Sequence, residues 1–326
     1  MKAVIITRPG GSDVLEIQER PTPEPGLAQI RVRVRTSALN RADVSQRRGN
    51  YPAPPGSPAD VSGMEYAGEV DAVGAAATMW KPGDRVMGII GGGGHAEYVC
   101  VHEREGMRAP TGFSWDDAAA IPEAFLTAYD ALINRLRLRS GETVLIHAAA
   151  SGVGTAALQL ARVAGATVLG SARSAAKLER ATQLGLDIAI DASQGDWPAK
   201  VEQAIGTERV HAIVDLVGGN YLAGNLRVAA PRGRIVVVGL TAGASTDFNM
   251  GVLLRKRLTI VGTVLRARPL EEKIALAREF EARMVPLFEA GRLRAVVDRV
   301  FPFGEIRAAH DLMESNQNFG KIVLRW

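Results

Sequence analysis

The chain has 326 residues, enough for two domains of ordinary size. Its 47% hydrophobic and 23% charged residues are those of a folded globular protein, which excludes a disordered or low-complexity chain. A net charge of +4 is small, and basic residues such as Arg31, Arg33 and Arg35 alternate with apolar ones as on a solvated strand face, so a nucleic-acid partner is not favoured. A single cysteine, Cys100, leaves no disulfide framework and no cysteine-rich zinc site. No run approaches the roughly 18 apolar residues of a membrane span. The opening Met1–Ile6 reads as a short strand rather than a leader, so a cytoplasmic location and no membrane partner are expected.

Up to residue 121 the chain reads as strands and turns. Ala28–Val34 alternates with the period of a half-buried strand. Gly68–Gly74 and Asp84–Gly88 are further short strands, separated by the turn Lys81-Pro82-Gly83-Asp84. Asn50–Pro58, rich in proline, and Gly91–Gly94 are loops, natural places for a binding site. Ser114 with Asp116 and Asp117 predicts a helix start. From Gly141 the pattern changes. Buried strands are expected at Thr143–His147, Ala166–Gly170, Asp187–Asp191, Val210–Asp215, Arg234–Gly239 and Leu258–Leu265, with helices between them. That alternation predicts a parallel sheet covered on both faces. Pro269–Glu289 is a long helix, and strands return near Val296–Phe301 and Lys321–Leu324.

The loop Ala149-Ala150-Ser151-Gly152-Val153-Gly154 runs from a strand into a helix. Residues without bulk there let a pyrophosphate reach the unpaired N–H groups and partial positive charge of the helix N-terminus. Against the dinucleotide fingerprint, Ala149 and Ser151 stand where glycines are usual, while Gly154 matches; the alternative is a tight turn without a ligand. The end of the next strand bears on the cofactor. An NAD site places an acid there for the ribose 2′-hydroxyl, but Gly170–Lys177 contains none. Arg173 and Lys177 can neutralise a 2′-phosphate, and Ser171 can add a hydroxyl, so NADP is the expected cofactor. The alternative for Arg173 and Lys177 is a solvated surface cation.

The stretches Ser37-Ala38-Leu39-Asn40-Arg41-Ala42-Asp43, Gly63-Met64-Glu65-Tyr66-Ala67-Gly68-Glu69-Val70, Pro82-Gly83-Asp84-Arg85-Val86, Val144–His147 with Ser151–Thr155, and Gly320-Lys321-Ile322-Val323 span nearly the whole chain. With them the chain resembles the medium-chain dehydrogenase/reductase superfamily, specifically its zinc-independent quinone oxidoreductase branch, with the p53-inducible type the nearest likeness. The resemblance implies an α/β fold in which a Rossmann doubly wound parallel sheet is inserted into a GroES-like β-rich domain. The expected segments are 1–121 (catalytic domain), 122–265 (NADP-binding domain) and 266–326 (return to the catalytic domain). It also implies cofactor contacts from Thr127 and Tyr129 at the start of the helix entering the second domain, from Gly239, Leu240, Leu265 and Arg266, and from Asn318. The Leu258–Leu265 strand is expected to pair with its twin in a homodimer, which would cover an apolar edge. Ala192 stands where relatives often carry a tyrosine, so an adenine-side contact is expected to be lost.

Zinc-type relatives need about four N, S or O ligands. Here Asn40 occupies the first-ligand position, Met64 replaces the histidine of the Gly-His-Glu pattern, and no cysteine remains for a third, so no metal is expected. His147 ends a buried strand and reads as a core histidine. A quinone accepts hydride without a Lewis acid because its product is aromatic. NADPH:quinone reduction is therefore the leading expectation, with Tyr51, Asn40 and Ser151 as catalytic candidates. Tyr51 is either a stacking or proton-donating group or an aromatic anchor of its loop. Asn40 is either a ribose or substrate contact or a turn asparagine. Two rivals remain: reduction of an enone or enal C=C bond, and a low-turnover nucleotide- or RNA-binding protein of crystallin type.

Overall fold

The computed structural model describes residues 1–326 and divides into two compact units, Met1–Leu126 with Leu265–Trp326, and Thr127–Val264. In chain order the first unit opens with β1 (Lys2–Ile6), β2 (Leu15–Glu19), β3 (Gln29–Leu39) and helix α1 (Arg41–Arg47). It continues through β4 (Glu65–Val73), β5 (Arg85–Ile89), β6 (Tyr98–His102), β7 (Met107–Arg108), α2 (Trp115–Ala119) and α3 (Pro122–Tyr129). The second unit alternates: β8 (Thr143–Ile146), α4 (Gly152–Val163), β9 (Thr167–Ala172), α5 (Ala175–Thr182), β10 (Ile188–Asp191) and α6 (Trp197–Ile205). Then come β11 (Val210–Asp215), α7 (Tyr221–Val228), β12 (Ala229–Val237), α8 (Met250–Lys256) and β13 (Thr259–Gly262). The chain returns to the first unit with α9 (Leu270–Glu289), β14 (Val297–Pro302), α10 (Ile306–Ser315) and β15 (Lys321–Arg325). No helix is long and apolar enough to cross a membrane.

The first unit's main sheet runs β14-β15-β3-β4-β5-β7, with β6 also paired to β3. β3 organises it through its alternation. Ile30, Val32 and Val34 enter the core, while Arg31 and Arg35 turn outward to Asp71 and Glu69, each at 2.7 Å. These arginines form ordinary cross-strand ion pairs rather than a free basic surface.

The second unit's sheet is wholly parallel, in the order β10-β9-β8-β11-β12-β13. That order reverses direction between β8 and β11, the doubly wound arrangement whose ligands bind at the carboxyl ends of the strands beside the switch point. Leu145, Leu169, Ile213 and Ile235 fill the core from four of its strands. The expected strand Leu258–Leu265 is shorter, Thr259–Gly262. Arg257 takes a left-handed turn (φ 54) that closes α8, and Leu258 N bonds back to Leu253 O. At the other end, Thr263 follows the strand with its amide still on Val237 O at 3.1 Å and its hydroxyl donating to Asp130 at 2.6 Å.

Candidate functional site

The carboxyl edge of the second unit's sheet carries the glycine loop. Ser151 caps α4, its Oγ accepting from Gly154 N at 3.0 Å. The amides of Gly152 and Val153, at the first positions of the helix, have no intrahelical acceptor and offer themselves to an anion. Ser151 is thus a helix cap first, with its proton still available to donate. A Cβ on Gly154 would lie 2.3 Å from Ala148 O, so only glycine lets helix and strand approach this closely. Ala149 is tolerated where the fingerprint has glycine because Gly170 opposes it: a Cβ there would meet the Ala149 methyl at 2.9 Å. The missing bulk has moved to the neighbouring strand. These features fit a dinucleotide pyrophosphate.

At the end of β9, Arg173 is exposed and Lys177 is half-buried in the first turn of α5. Ser171 differs from expectation. It is buried, and its Oγ lies 2.7 Å from His147 Nδ1. The protons along this contact can be assigned. Asp215 accepts from the amides of Val217 and Gly218 with Oδ1, and from Asn225 Nδ2 with Oδ2, all at 2.8 Å. Asn225 must then turn Oδ1 to His147 Nε2, 2.7 Å away. His147 is therefore protonated on Nε2, its Nδ1 is an acceptor, and the Ser171 proton is committed to it. A hydroxyl so committed has no proton left for a phosphate. His147 is the core histidine the sequence suggested, held neutral because burial pushes its pKa down.

Other expected contacts are distributed differently. Thr127 and Tyr129 lie in the last turn of α3, where the helix passes into a π-helical turn at Asp130–Arg135, and both are buried. Gly239 follows β12 at the carboxyl edge, its amide on Asp215 O at 3.2 Å, and Leu240 beside it is exposed. Sequence reasoning missed Tyr221, half-buried at the start of α7 and stacked on Trp197 with 5.5 Å between centroids. Burial raises its phenol pKa and the Arg173 charge opposes the rise, so Arg173 acts on this side of the unit.

In the first unit, Asn40 caps α1 and reaches the buried Glu65, its Nδ2 donating to Oε1 at 2.7 Å. Lys321 joins them, its Nζ donating to Glu65 Oε1 at 2.5 Å, Asn40 Oδ1 at 2.6 Å and Leu39 O at 3.0 Å. Glu65 Oε2 accepts from Glu123 N at 2.8 Å. Both ions of this pair are out of solvent and each is fully hydrogen-bonded. This donor set does not fit zinc. A thioether at Met64 and an amide at Asn40 are poor zinc ligands, and the one carboxylate already holds an ammonium. No group of three or more His, Cys, Asp or Glu side chains is placed to hold a metal ion.

Tyr51 is half-buried in its proline-rich loop. Burial raises its phenol pKa, Glu123 adds to the rise and Arg266 opposes it, so the phenol is a proton donor at neutral pH. Arg266, one of the expected cofactor contacts, is buried among groups of the first unit and bonded to Gly91, Gln46 and Tyr51. Leu265 is buried, and Asn318 is nearly so, its Nδ2 donating to Gly320 O at 2.9 Å.

A strand order with one switch point, a close-packed glycine turn and a free helix N-terminus define a doubly wound fold suited to binding a dinucleotide. Residues 26–111 match the alcohol dehydrogenase GroES-like domain and residues 152–281 the zinc-binding dehydrogenase family. A Pseudomonas aeruginosa quinone oxidoreductase is 34% identical over 97% of this chain and 96% of its own. The crystal structure of an NAD-dependent alcohol dehydrogenase is 34% identical, with full coverage of both chains and a TM-score of 0.87. That of Escherichia coli quinone oxidoreductase complexed with NADPH is 27% identical, with full coverage and a TM-score of 0.89. The chain belongs to the zinc-independent quinone oxidoreductase branch of the medium-chain dehydrogenase/reductase superfamily.

Proposed function

We propose that the protein is an NADPH-dependent quinone reductase that works without a metal. The carrying observation is the Asn40–Glu65–Lys321 cluster. It fills with a buried ammonium the place where zinc-type relatives bind their metal, which favours acceptors that need no Lewis acid. When bound, the nicotinamide cofactor supplies a hydride. Gly152, Val153 and Gly154 would hold its pyrophosphate, with Ser151 adding a hydroxyl, and Arg173 and Lys177 would receive the 2′-phosphate. Gly239, Leu240 and Thr127 border the same unit's nucleotide-binding edge in this reading. Tyr51 would give a proton to the reduced acceptor, and Asn40 would position the acceptor side through its bonds to Glu65 and Lys321. The raised Tyr51 pKa also suits protonation at carbon, which keeps enone reduction as the second reading. We further assign a homodimer through the β13 edge, with apolar surface uncovered at Val264 (47% exposed) just beyond that strand and at Leu254 (80%) and Met250 (71%) on α8, and a cytoplasmic location.

Steady-state kinetics with NADPH or NADH against a panel of quinones and enones tests the reading. Turnover of enones but not quinones would replace it by the second. Arg173→Ala should raise the KM for NADPH by about ten- to a hundred-fold, the worth of a charge-assisted contact, and leave that for NADH nearly unchanged. Equal losses for both nucleotides would remove Arg173 from phosphate recognition.

A further inference from the structure

Arg266 is 6% exposed, and every partner of its guanidinium is neutral. Nε donates to Gly91 O at 2.6 Å, Nη2 to Gln46 Oε1 at 2.6 Å and Nη1 to Tyr51 O at 3.3 Å. The guanidinium carbon stands 5.0 Å from the centroid of the Tyr51 ring. One side chain therefore ties together the end of α1, the proline-rich loop and the Gly91 loop. It also borders a cavity of about 270 Å³ lined by Pro54, Pro55, Ser57 and Lys273. No carboxylate pairs with it; Asp43 and Glu123 act on it only at longer range. Removing a guanidinium from water is costly, and arginine cannot shed its proton to escape the cost. Hydrogen bonds to carbonyls and the face of an aromatic ring offset part of it, but they leave the positive charge unneutralised.

We propose that Arg266 is the positioning residue of the acceptor side: it fixes Tyr51 against the Gly91 loop and supplies the positive field that favours proton donation from the Tyr51 phenol. The inference rests on the function proposed above. A quinone that takes a hydride with its electron pair from the reduced nicotinamide nucleotide becomes a hydroquinone monoanion. The O–H bond of Tyr51 then breaks, its proton passes to the anionic oxygen, and solvent reprotonates the phenolate. Negative charge resides first on the acceptor oxygen and then on the phenolate, and a desolvated cation 5.0 Å from the ring stabilises the second directly. In a zinc-type enzyme the metal would carry that charge.

The test uses the full-length protein labelled with ¹³Cζ-tyrosine, the Tyr51 resonance being identified by its loss in Tyr51→Phe. In Arg266→Gln the Tyr51 phenol should titrate at higher pH than in the wild type, and Arg266→Lys should lie between the two. In quinone assays Arg266→Gln should lower kcat by about ten-fold or more with the KM for NADPH unchanged, and the loss should largely vanish in a Tyr51→Phe background. An unmoved Tyr51 titration, a rise in the KM for NADPH instead of a fall in kcat, or an equal loss with and without the Tyr51 hydroxyl would each overturn the proposal. If Arg266→Gln does not fold, Arg266→Lys decides it by the same titration. A wild type that reduces no quinone defeats the proposed function, while the titration still decides whether Arg266 acts on the Tyr51 phenol.

Discussion

Each unit buries a histidine beneath a serine, and the two arrangements differ in what lies beyond the ring. In the second unit Ser171 donates to His147 Nδ1, and Nε2–H meets Asn225 Oδ1 at 2.7 Å; the chain closes on Asp215 and two backbone amides. In the first unit the indole of Trp326 donates to Ser37 Oγ at 3.0 Å, which turns the Ser37 proton onto His95 Nδ1, also at 3.0 Å. His95 Nε2 then lies 4.0 Å from Asp43 Oδ2, beyond hydrogen-bonding reach, with no protein partner. The nucleotide-binding unit thus holds this histidine with a closed chain of neutral donors and acceptors, anchored on one carboxylate; its own buried ion, Lys256, is held separately by Glu208 and by the carbonyls of Leu226, Arg227 and Ala229. The other unit carries desolvated ions, Glu65 with Lys321 and the guanidinium of Arg266, beside histidines bonded on one side only. Closed neutral chains fix a geometry at little electrostatic cost, while buried ions keep a field in place at the expense of desolvation.

The largest test of this contrast removes one ion. Lys321→Met leaves Glu65 buried without its counter-charge and should cost about 3–5 kcal/mol in urea unfolding. Adding Glu65→Gln should recover most of that loss, because the neutral amide can keep its oxygen on Glu123 N and turn its Nε2 toward Asn40, whose amide can flip to accept once Lys321 is gone. A Lys321→Met protein as stable as the wild type would mean that the pair contributes nothing, and the contrast between the units would fail.

Acid pH sharpens the comparison. Burial lowers the pKa of His147 in the second unit, and of His95 and His310 in the first. All three stay neutral in the folded protein and protonate in the unfolded chain below pH 6.5, so there the unfolded state binds more protons. Their contribution is complete above pH 6.5 and is lost as pH falls toward the folded values. The loss grows as pH falls below 6.5 and can reach at most about 1.4 kcal/mol per histidine at pH 5.5. The first unit, with two such histidines, should weaken more steeply than the second. Trp197 reports the second unit, and Trp80, Trp115 and Trp326 the first, so unfolding curves of single-tryptophan variants can separate them. Parallel losses in both units would contradict the assignment.

Much of the fold was readable because it follows from local periodicity. The alternation that starts at Ala28 predicted β3, and the short apolar runs with helices between them predicted the parallel sheet of the second unit. What escaped depends on partners distant in the chain. Thr263, at the end of β13, gives its hydroxyl proton to Asp130, 133 residues earlier. Arg266 bonds into the first unit because Gln46, 220 residues away, accepts from it. Ser171 sits at the position expected of a phosphate contact, yet its proton is fixed by a chain that begins at Asp215. Ala149 departs from the fingerprint in sequence, and only the facing Gly170, a neighbour across the sheet, makes room for its methyl. Composition and spacing report which groups are present; they do not report which way a proton points.

The smallest expected effect reads that direction. Asp215→Asn keeps the shape of the side chain and must leave its Oδ1 on the amides of Val217 and Gly218. Its Nδ2 then faces Asn225, whose amide must flip to present Oδ1, which turns Nδ2 toward His147 Nε2. His147 Nε2 becomes the acceptor, the proton moves to Nδ1, and Ser171 accepts instead of donating. One near-isosteric change should thus reverse every proton from residue 215 to Ser171, at a cost of about 1 kcal/mol for replacing charge-assisted bonds by neutral ones. Imidazole ¹⁵N shifts distinguish the two tautomers. The wild type should show the Nε2–H form at His147 and Asp215→Asn the Nδ1–H form. A tautomer unchanged by Asp215→Asn would show that the chain is not directed from Asp215, and the second unit would lose its claim to a closed polar network.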